Sequence, residues 1–429
     1  MAWACTVANL TLVVGTSNVI LLSIGGNPAL SSVPLAAFFL GASLVSFLVT
    51  PWLFRRRGRR VGFLCGVSFG LLGSVLGLCA ILFRSPAALI SATGWFGAAV
   101  GIGFYLRFAA LEVVDEAWAE RAVALVVTGG CIAAFAGPES AEATRGMFGD
   151  NEKYEFLGVF VMTGVFNIAN GVFTCLVHFP SNNSSNLRGE NSASNYDDDE
   201  NSGYWQRIGP IVRKRHFSIP VLISAMSWII MALPMSVLRV AMHQVGFTSR
   251  QSLIAIEFHF LGMYSPGFFS GIWIAKYGPR WVCMGASLIF LLAFACLQSA
   301  CGAVEESSSD VVLWILGMVV IGVGWNFAFS ASTVGLTRSY AFSHPECKSL
   351  IQAVNEGSTF LFAGALICCA SFIYQAGGEG LEGWWTVNWV VMGFIVLFSL
   401  LLLLDVGLER SETETPANEK WSPPSKAYS

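Results

Sequence analysis

The sequence predicts an all-α polytopic membrane protein, with twelve transmembrane helices arranged as two pseudo-symmetric halves of six. Three observations carry this expectation. Of the 429 residues, 55% are hydrophobic and only 12% are charged, whereas an average soluble domain is about 25% charged. Twelve apolar stretches are each long enough to cross a bilayer as a helix, which takes roughly 17 to 25 residues. Segments of the first half also recur, about 220 residues later, in the second.

The spans fall near 4–24, 33–54, 61–83, 87–111, 121–143, 155–178, 217–242, 249–275, 281–302, 311–337, 349–374 and 383–405. The opening stretch MAWACTVANLTLVVG has no basic n-region, so it reads as a retained first helix and not as a signal peptide. Between the sixth and seventh spans lies SNNSSNLRGENSASNYDDDENSGY, too polar to bury a core and therefore expected to be disordered. The expected organisation is a six-helix bundle at 1–178, a cytoplasmic linker at 179–212, a second bundle at 213–405 and a disordered cytoplasmic tail at 406–429. The eleven cysteines lie mostly inside apolar runs without CxxC spacing, so they read as small buried hydrophobes and imply no metal. A net charge of −3 gives no reason to expect a nucleic-acid partner.

Orientation follows from the loops. Lys and Arg concentrate in cytoplasmic loops of membrane proteins. Eighteen of the 24 fall on the side that holds both termini and the even-numbered loops, four fall on the other, and Arg107 and Arg239 lie inside spans. The expected protein is therefore an integral, multi-pass one with both termini cytoplasmic. The block PWLFRRRGRR (51–60) is a cytoplasmic anchor on this reading.

That block lines up with GIWIAKYGPR (271–280), each closing the second span of its half. GIGFYLRF (101–108) lines up with GVGWNFAF (322–329) in the fourth span of each. Two unrelated pairs of segments at nearly one offset argue for duplicated halves. Six plus six helices, a central linker and a basic loop after the second span resemble the major facilitator superfamily of secondary transporters. Its motif A is matched in the basic part by Arg56, Gly58, Arg59 and Arg60, and in the second copy by Gly271, Lys276, Gly278 and Arg280. Gly137 and Pro138 in AFAGPES resemble its motif C. YLRFAALEV, EFHFLGMYSPGFFSG, GVGWNFAFSAS and QAVNEGSTFLFAG look like a group of bacterial members near those proposed to move riboflavin. The motif A acid is replaced by Arg55 and Ala275. A charge partner for Arg59 is then expected from Glu112, just beyond the fourth span, as part of a gating contact.

Transporters of this architecture bind substrate near the midplane between the halves, and polar residues there are functional candidates. The candidates for substrate contact are Thr16 and Asn18 in the first span, Trp228 in the seventh, His259 in the eighth, Trp325 and Asn326 in the tenth, and Asn355 in the eleventh. Glu257 and His259 are two residues apart on a helix and point about 200° away from each other, so they cannot form one pair. His259 is the expected cavity residue of the two, with a histidine hydrogen-bonded inside the second half as the plain alternative. Glu356, Glu257 and His259 are candidate proton carriers, because an acid in lipid must be paired or protonated and a histidine changes charge near neutral pH. Arg107 is expected to reach Glu112 or interfacial phosphates, and Arg239 to snorkel toward the far interface. With no cation at a helix midpoint, a neutral, zwitterionic or amphipathic organic solute is favoured.

The expected function is secondary transport of a small organic solute by alternating access, as a symport, an antiport or facilitated diffusion. Riboflavin-like uptake and metabolite or drug efflux both fit. The partners are then the solute, the lipid bilayer and protons, with no cofactor. An intramembrane enzyme would need facing catalytic groups, which Glu257 and His259 do not provide. A transporter-like scaffold or sensor is the competing class.

Overall fold

The computed structural model describes residues 1–110, 119–148, 154–179, 209–300, 309–340, 348–378 and 380–414, and all regular structure among them is helical. The elements follow in order: α1 (Ala2–Ser23), α2 (Pro28–Phe54), α3 (Arg56–Leu82), α4 (Pro86–Ala109), α5 (Ala119–Ala143) and α6 (Leu157–Leu176) in the first half. The second half holds α7 (Arg215–Gln244), α8 (Ser249–Tyr264, resuming at Gly267–Tyr277), α9 (Pro279–Ser299), α10 (Ser309–Tyr340), α11 (Lys348–Ala376) and α12 (Leu381–Glu414). Among the described residues, ten helices are long and apolar enough to span a membrane. The other two elements are α5, with charged residues toward both ends, and α8, which breaks at Ser265–Pro266 where proline cannot continue the ladder.

Helix starts are encoded locally. Ser85 caps α4 by accepting from the Ala88 N–H, with Pro86 in the first turn. Thr248 and Gln251 form a reciprocal capping box at α8. The two central helices are α1 and α7, in whose most apolar windows 83% and 89% of residues are buried.

The sequence repeat is visible in the backbone. Gly58 (φ 76°, ψ 172°), near the start of α3, and Gly278 (φ 84°, ψ 156°), between α8 and α9, turn the chain where the second and third helices of each half join, in a conformation essentially reserved for glycine. At the head of the other repeat pair, Gly101 and Gly322 let α4 approach α2 and α10 approach α8. A Cβ there would stand 2.8 Å from the Ala42 carbonyl oxygen or 2.6 Å from that of His259. The basic residues also play equivalent parts: Arg60 donates to the Val177 carbonyl at 2.8 Å, and Arg280 pairs with Asp405 at 2.7 Å, tying the third helix of each half to its sixth.

Three expectations need correction. Helix α12 continues to Glu414 and does not stop at 405, since nothing in its LERSETE extension breaks a helix. Residues 209–212 are helical, with Ile211 packed against Phe217, Val221 and Leu350, so order resumes before the expected end of the linker. Arg239 does not snorkel: it is buried, and its Nη1 donates to the Gly15 carbonyl at 2.5 Å.

Candidate functional site

The two halves meet differently at their two ends. At the end away from the arginine block they are held together by polar contacts. Ser31 and Ser371 hydroxyls lie 2.8 Å apart, Ser32 and Ser371 each donate a backbone N–H to the other's hydroxyl, and Asn18 donates to the Ser236 carbonyl at 3.3 Å. Arg239 reaches Gly15 as described, and Arg250 of α8 pairs with Glu139 of α5 at 2.6 Å.

At the arginine-block end the halves enclose a cavity of about 350 Å³. Its walls come from the ends of α1, α4, α5, α8 and α10 nearest the basic loops. Trp3, Phe104, Phe108, Tyr264, Trp325 and Phe329 supply the aromatic lining, with Asn326, Ser330 and Thr333 as polar groups. Trp325 and Phe329 are one helical turn apart and stack at 5.0 Å with an 11° interplanar angle, the i, i+4 relation that places two side chains on one face. Arg107 is the single charged lining residue among those described.

Arg107 corrects a sequence expectation. Its Nη2 lies 2.5 Å from Oε1 of Glu356, with side-chain exposures of 7% and 1%. Helix α4 gives way to a turn at Phe104–Tyr105 and resumes at Leu106–Ala109, which places Arg107 among the faces of Phe104, Phe108 and Phe329, its guanidinium 4.8 to 5.7 Å from their centroids. A cation at this depth needs a counter-charge, and the other half provides it. Asn355 Nδ2 donates to the same Glu356 oxygen at 3.1 Å. Glu112, the expected partner for Arg59, lies outside the described residues. Arg59 sits 4.7 Å over the Phe54 ring and Arg56 5.7 Å over Trp52.

The other predicted residues divide cleanly. Trp325, Asn326 and Gly271 line the cavity. Trp228 does not line it; it is buried in an aromatic cluster with Phe39, Phe104, Trp325, Phe329 and Phe360. His259 also stays out of the cavity, with Nδ1 2.7 Å from the Met318 carbonyl of α10 inside the second half. Glu257 points the other way, 3.7 Å from Arg250 at the far end. Thr16 donates to Leu12 in its own helix, and Asn18 works at the far-end closure. Gly137 packs α5 on α1 so closely that a Cβ would stand 2.0 Å from the Thr11 hydroxyl, with Pro138 inside the helix. Lys276 lies 5.1 Å over Tyr277.

Sequence reasoning missed Arg107 and most of the aromatic lining. Phe329 was within reach, one turn after Trp325 in GVGWNFAFS. Trp3, Tyr264 and Phe108 carry no local signal, because their common cavity exists only once five helices are assembled. Five polar atoms of lining residues are buried without a hydrogen-bond partner: Trp3 Nε1, Arg107 Nε, Trp325 Nε1, the Tyr264 hydroxyl and Asn326 Oδ1. Each such group costs about 1–3 kcal/mol.

No protein-family model matches the chain. It is 27% identical over 399 residues to the riboflavin transporter RfnT of Brucella anthropi, covering 90% of this chain and 91% of that protein. Among solved structures, the D-xylose–proton symporter superposes with a TM-score of 0.65 at 12% identity, over 94% of this chain and 96% of the other. The major facilitator transporter FucP, in an outward conformation, superposes with a TM-score of 0.58 at 15% identity, over 94% and 98%.

Proposed function

We propose that this secondary transporter, of the major facilitator type, carries a neutral, planar aromatic solute through the cavity at its basic-loop end. The single observation that carries the reading is the composition of that cavity: six aromatic side chains around one cation already neutralised by Glu356. Rings of this kind stack on flat ligands, and aromatic pairs contribute about 0.5–1.5 kcal/mol beyond the area they bury. A strongly anionic solute would have to compete with Glu356 for Arg107. The volume of about 350 Å³ falls within the range of about 300–1,000 Å³ usual for small-molecule sites. A riboflavin-like heterocycle is the leading candidate, supported by the name of the relative RfnT.

By the distribution of Lys and Arg, the cavity end is cytoplasmic, as are both termini. The described conformation is then inward-facing, with the far-end contacts closing the route outward. Alternating access would break those contacts and bring the halves together around the cavity. A proton carried by Glu356 would neutralise it, release Arg107 and couple that rearrangement to a gradient.

The test is a thermal-shift titration of the purified protein in detergent with riboflavin and other neutral planar heterocycles. Ligand that binds only the folded protein raises the midpoint as RT ln(1 + [L]/Kd). The reading expects a concentration-dependent rise that Trp325→Ala removes. No rise with any flat heterocycle, from a sample whose unfolding is cooperative, would turn the assignment toward a different solute class.

A further inference from the structure

We propose that the cavity takes its solute in two parts, a flat ring among the aromatic side chains and a neutral hydroxylated tail along Ser330, Thr333 and Thr337 of α10. This rests on the planar-solute reading above and narrows it to rings that carry such a tail. Helix α10 turns one continuous face to the cavity, with Trp325, Phe329, Ser330, Thr333 and Thr337 all in the wall. From Trp325 to Thr337 this face covers about 18 Å, at 1.5 Å per residue. The two rings come first and the hydroxyls follow toward the basic loops. Exposure rises along the same line: Trp325 and Phe329 are buried, Ser330 and Thr333 half-buried, and Thr337 exposed. The ring end is therefore closed and the hydroxyl end open.

The hydroxyls have capacity to spare. Thr333 donates to the Phe329 carbonyl at 2.8 Å and Thr337 to the Thr333 carbonyl at 2.9 Å, which uses each proton and leaves each oxygen able to accept. The Ser330 hydroxyl makes no hydrogen bond among the described residues, so it can donate or accept. A tail of hydroxyl groups donates to the two threonine oxygens and exchanges either way with Ser330. A carboxylate tail would set acceptor against acceptor there, and the one lining cation, Arg107, is already held by Glu356. The facing wall leaves room for the chain. Asn326 bonds the Met263 carbonyl of α8 at 2.6 Å, so Gly271, eight residues past Met263, lies about level with Val334, eight past Asn326. Both line the cavity, and a Cβ on Gly271 would meet no atom within 4 Å.

Riboflavin and lumiflavin share one ring system and test the division directly. The first carries a polyhydroxylated chain where the second carries a methyl group. Binding to the full-length protein in detergent is read by quenching of flavin fluorescence. Riboflavin is expected to bind about tenfold more tightly, the scale of one or two hydrogen bonds. Combining Ser330→Ala, Thr333→Val and Thr337→Val should bring riboflavin to the lumiflavin level. Lumiflavin, which has no tail to lose, should bind that variant as before and so report that its fold is intact. Gly271→Leu, which fills the space facing the hydroxyls, should weaken riboflavin more than lumiflavin. Equal affinity of the unmodified protein for both flavins would overturn the tail assignment and leave the planar-solute reading standing. A riboflavin preference that persists in the triple variant would overturn it as well, as would binding of a tail-free heterocycle but of neither flavin. Absence of binding by any flat heterocycle would remove the planar-solute reading itself, and the tail assignment with it.

Discussion

Arg107 Nη2 lies 2.5 Å from Glu356 Oε1, and through this contact the first half of the protein is joined to the second in the wall of the cavity. Both side chains are buried, so neither charge has water to fall back on. Removing one partner of such a pair costs about 3–5 kcal/mol, whereas replacing both by apolar residues is often neutral. Glu356→Ala should therefore lower the unfolding temperature sharply in detergent, and Arg107→Met combined with Glu356→Leu should recover most of the loss. Equal destabilisation by the single and double variants would mean that the pair does not hold the two helices as a unit.

The same carboxylate is the proposed proton carrier. Glu356→Gln keeps the size and one hydrogen-bonding oxygen but cannot ionise. Accumulation against a gradient should be abolished in proteoliposomes while exchange of labelled for unlabelled solute continues. Unchanged accumulation would sink the assignment.

At the far end, the hydroxyls of Ser31 and Ser371 are 2.8 Å apart across the two halves. Cysteines placed at both positions should form a disulfide under mild oxidation, since their side chains meet in the described state. The bond should stop transport by preventing the halves from parting there, and a reductant should restore it. Normal transport by the fully crosslinked protein would rule out motion at this closure.

The paired turns at Gly58 and Gly278 share one backbone conformation. An alanine at either position has open space for its Cβ but must hold a strained φ/ψ. The expected cost is about 1–3 kcal/mol each, similar at the two positions because the halves are equivalent there. Thermal unfolding of Gly58→Ala and Gly278→Ala measures it.

The architecture was written in the sequence more openly than the site. Span length needed no knowledge of packing, and the repeat of PWLFRRRGRR in GIWIAKYGPR surfaced as two glycines with similar torsions and two arginines bound at the last helix of their halves. Trp325 and Asn326 were legible because glycines beside them implied close helix contact. His259 was not, because a histidine at that depth suits a cavity or a backbone carbonyl equally, and Met318 decided the matter. Arg107 was misread for a comparable reason. Its sequence neighbour Glu112 offered a local partner, while Glu356 is 249 residues away. Only the fold brings that partner within reach.

The polar part of the closure away from the arginine block is a few hydrogen bonds and one exposed ion pair. Net contributions of about 0.5–1.5 kcal/mol per hydrogen bond and about 0–1 kcal/mol for an exposed pair keep that polar part small. Moving one elementary charge through 100 mV is worth about 2.3 kcal/mol, the same order as losing two or three of these bonds. The polar part of this closure is thus of the same scale as a membrane's stored electrochemical energy.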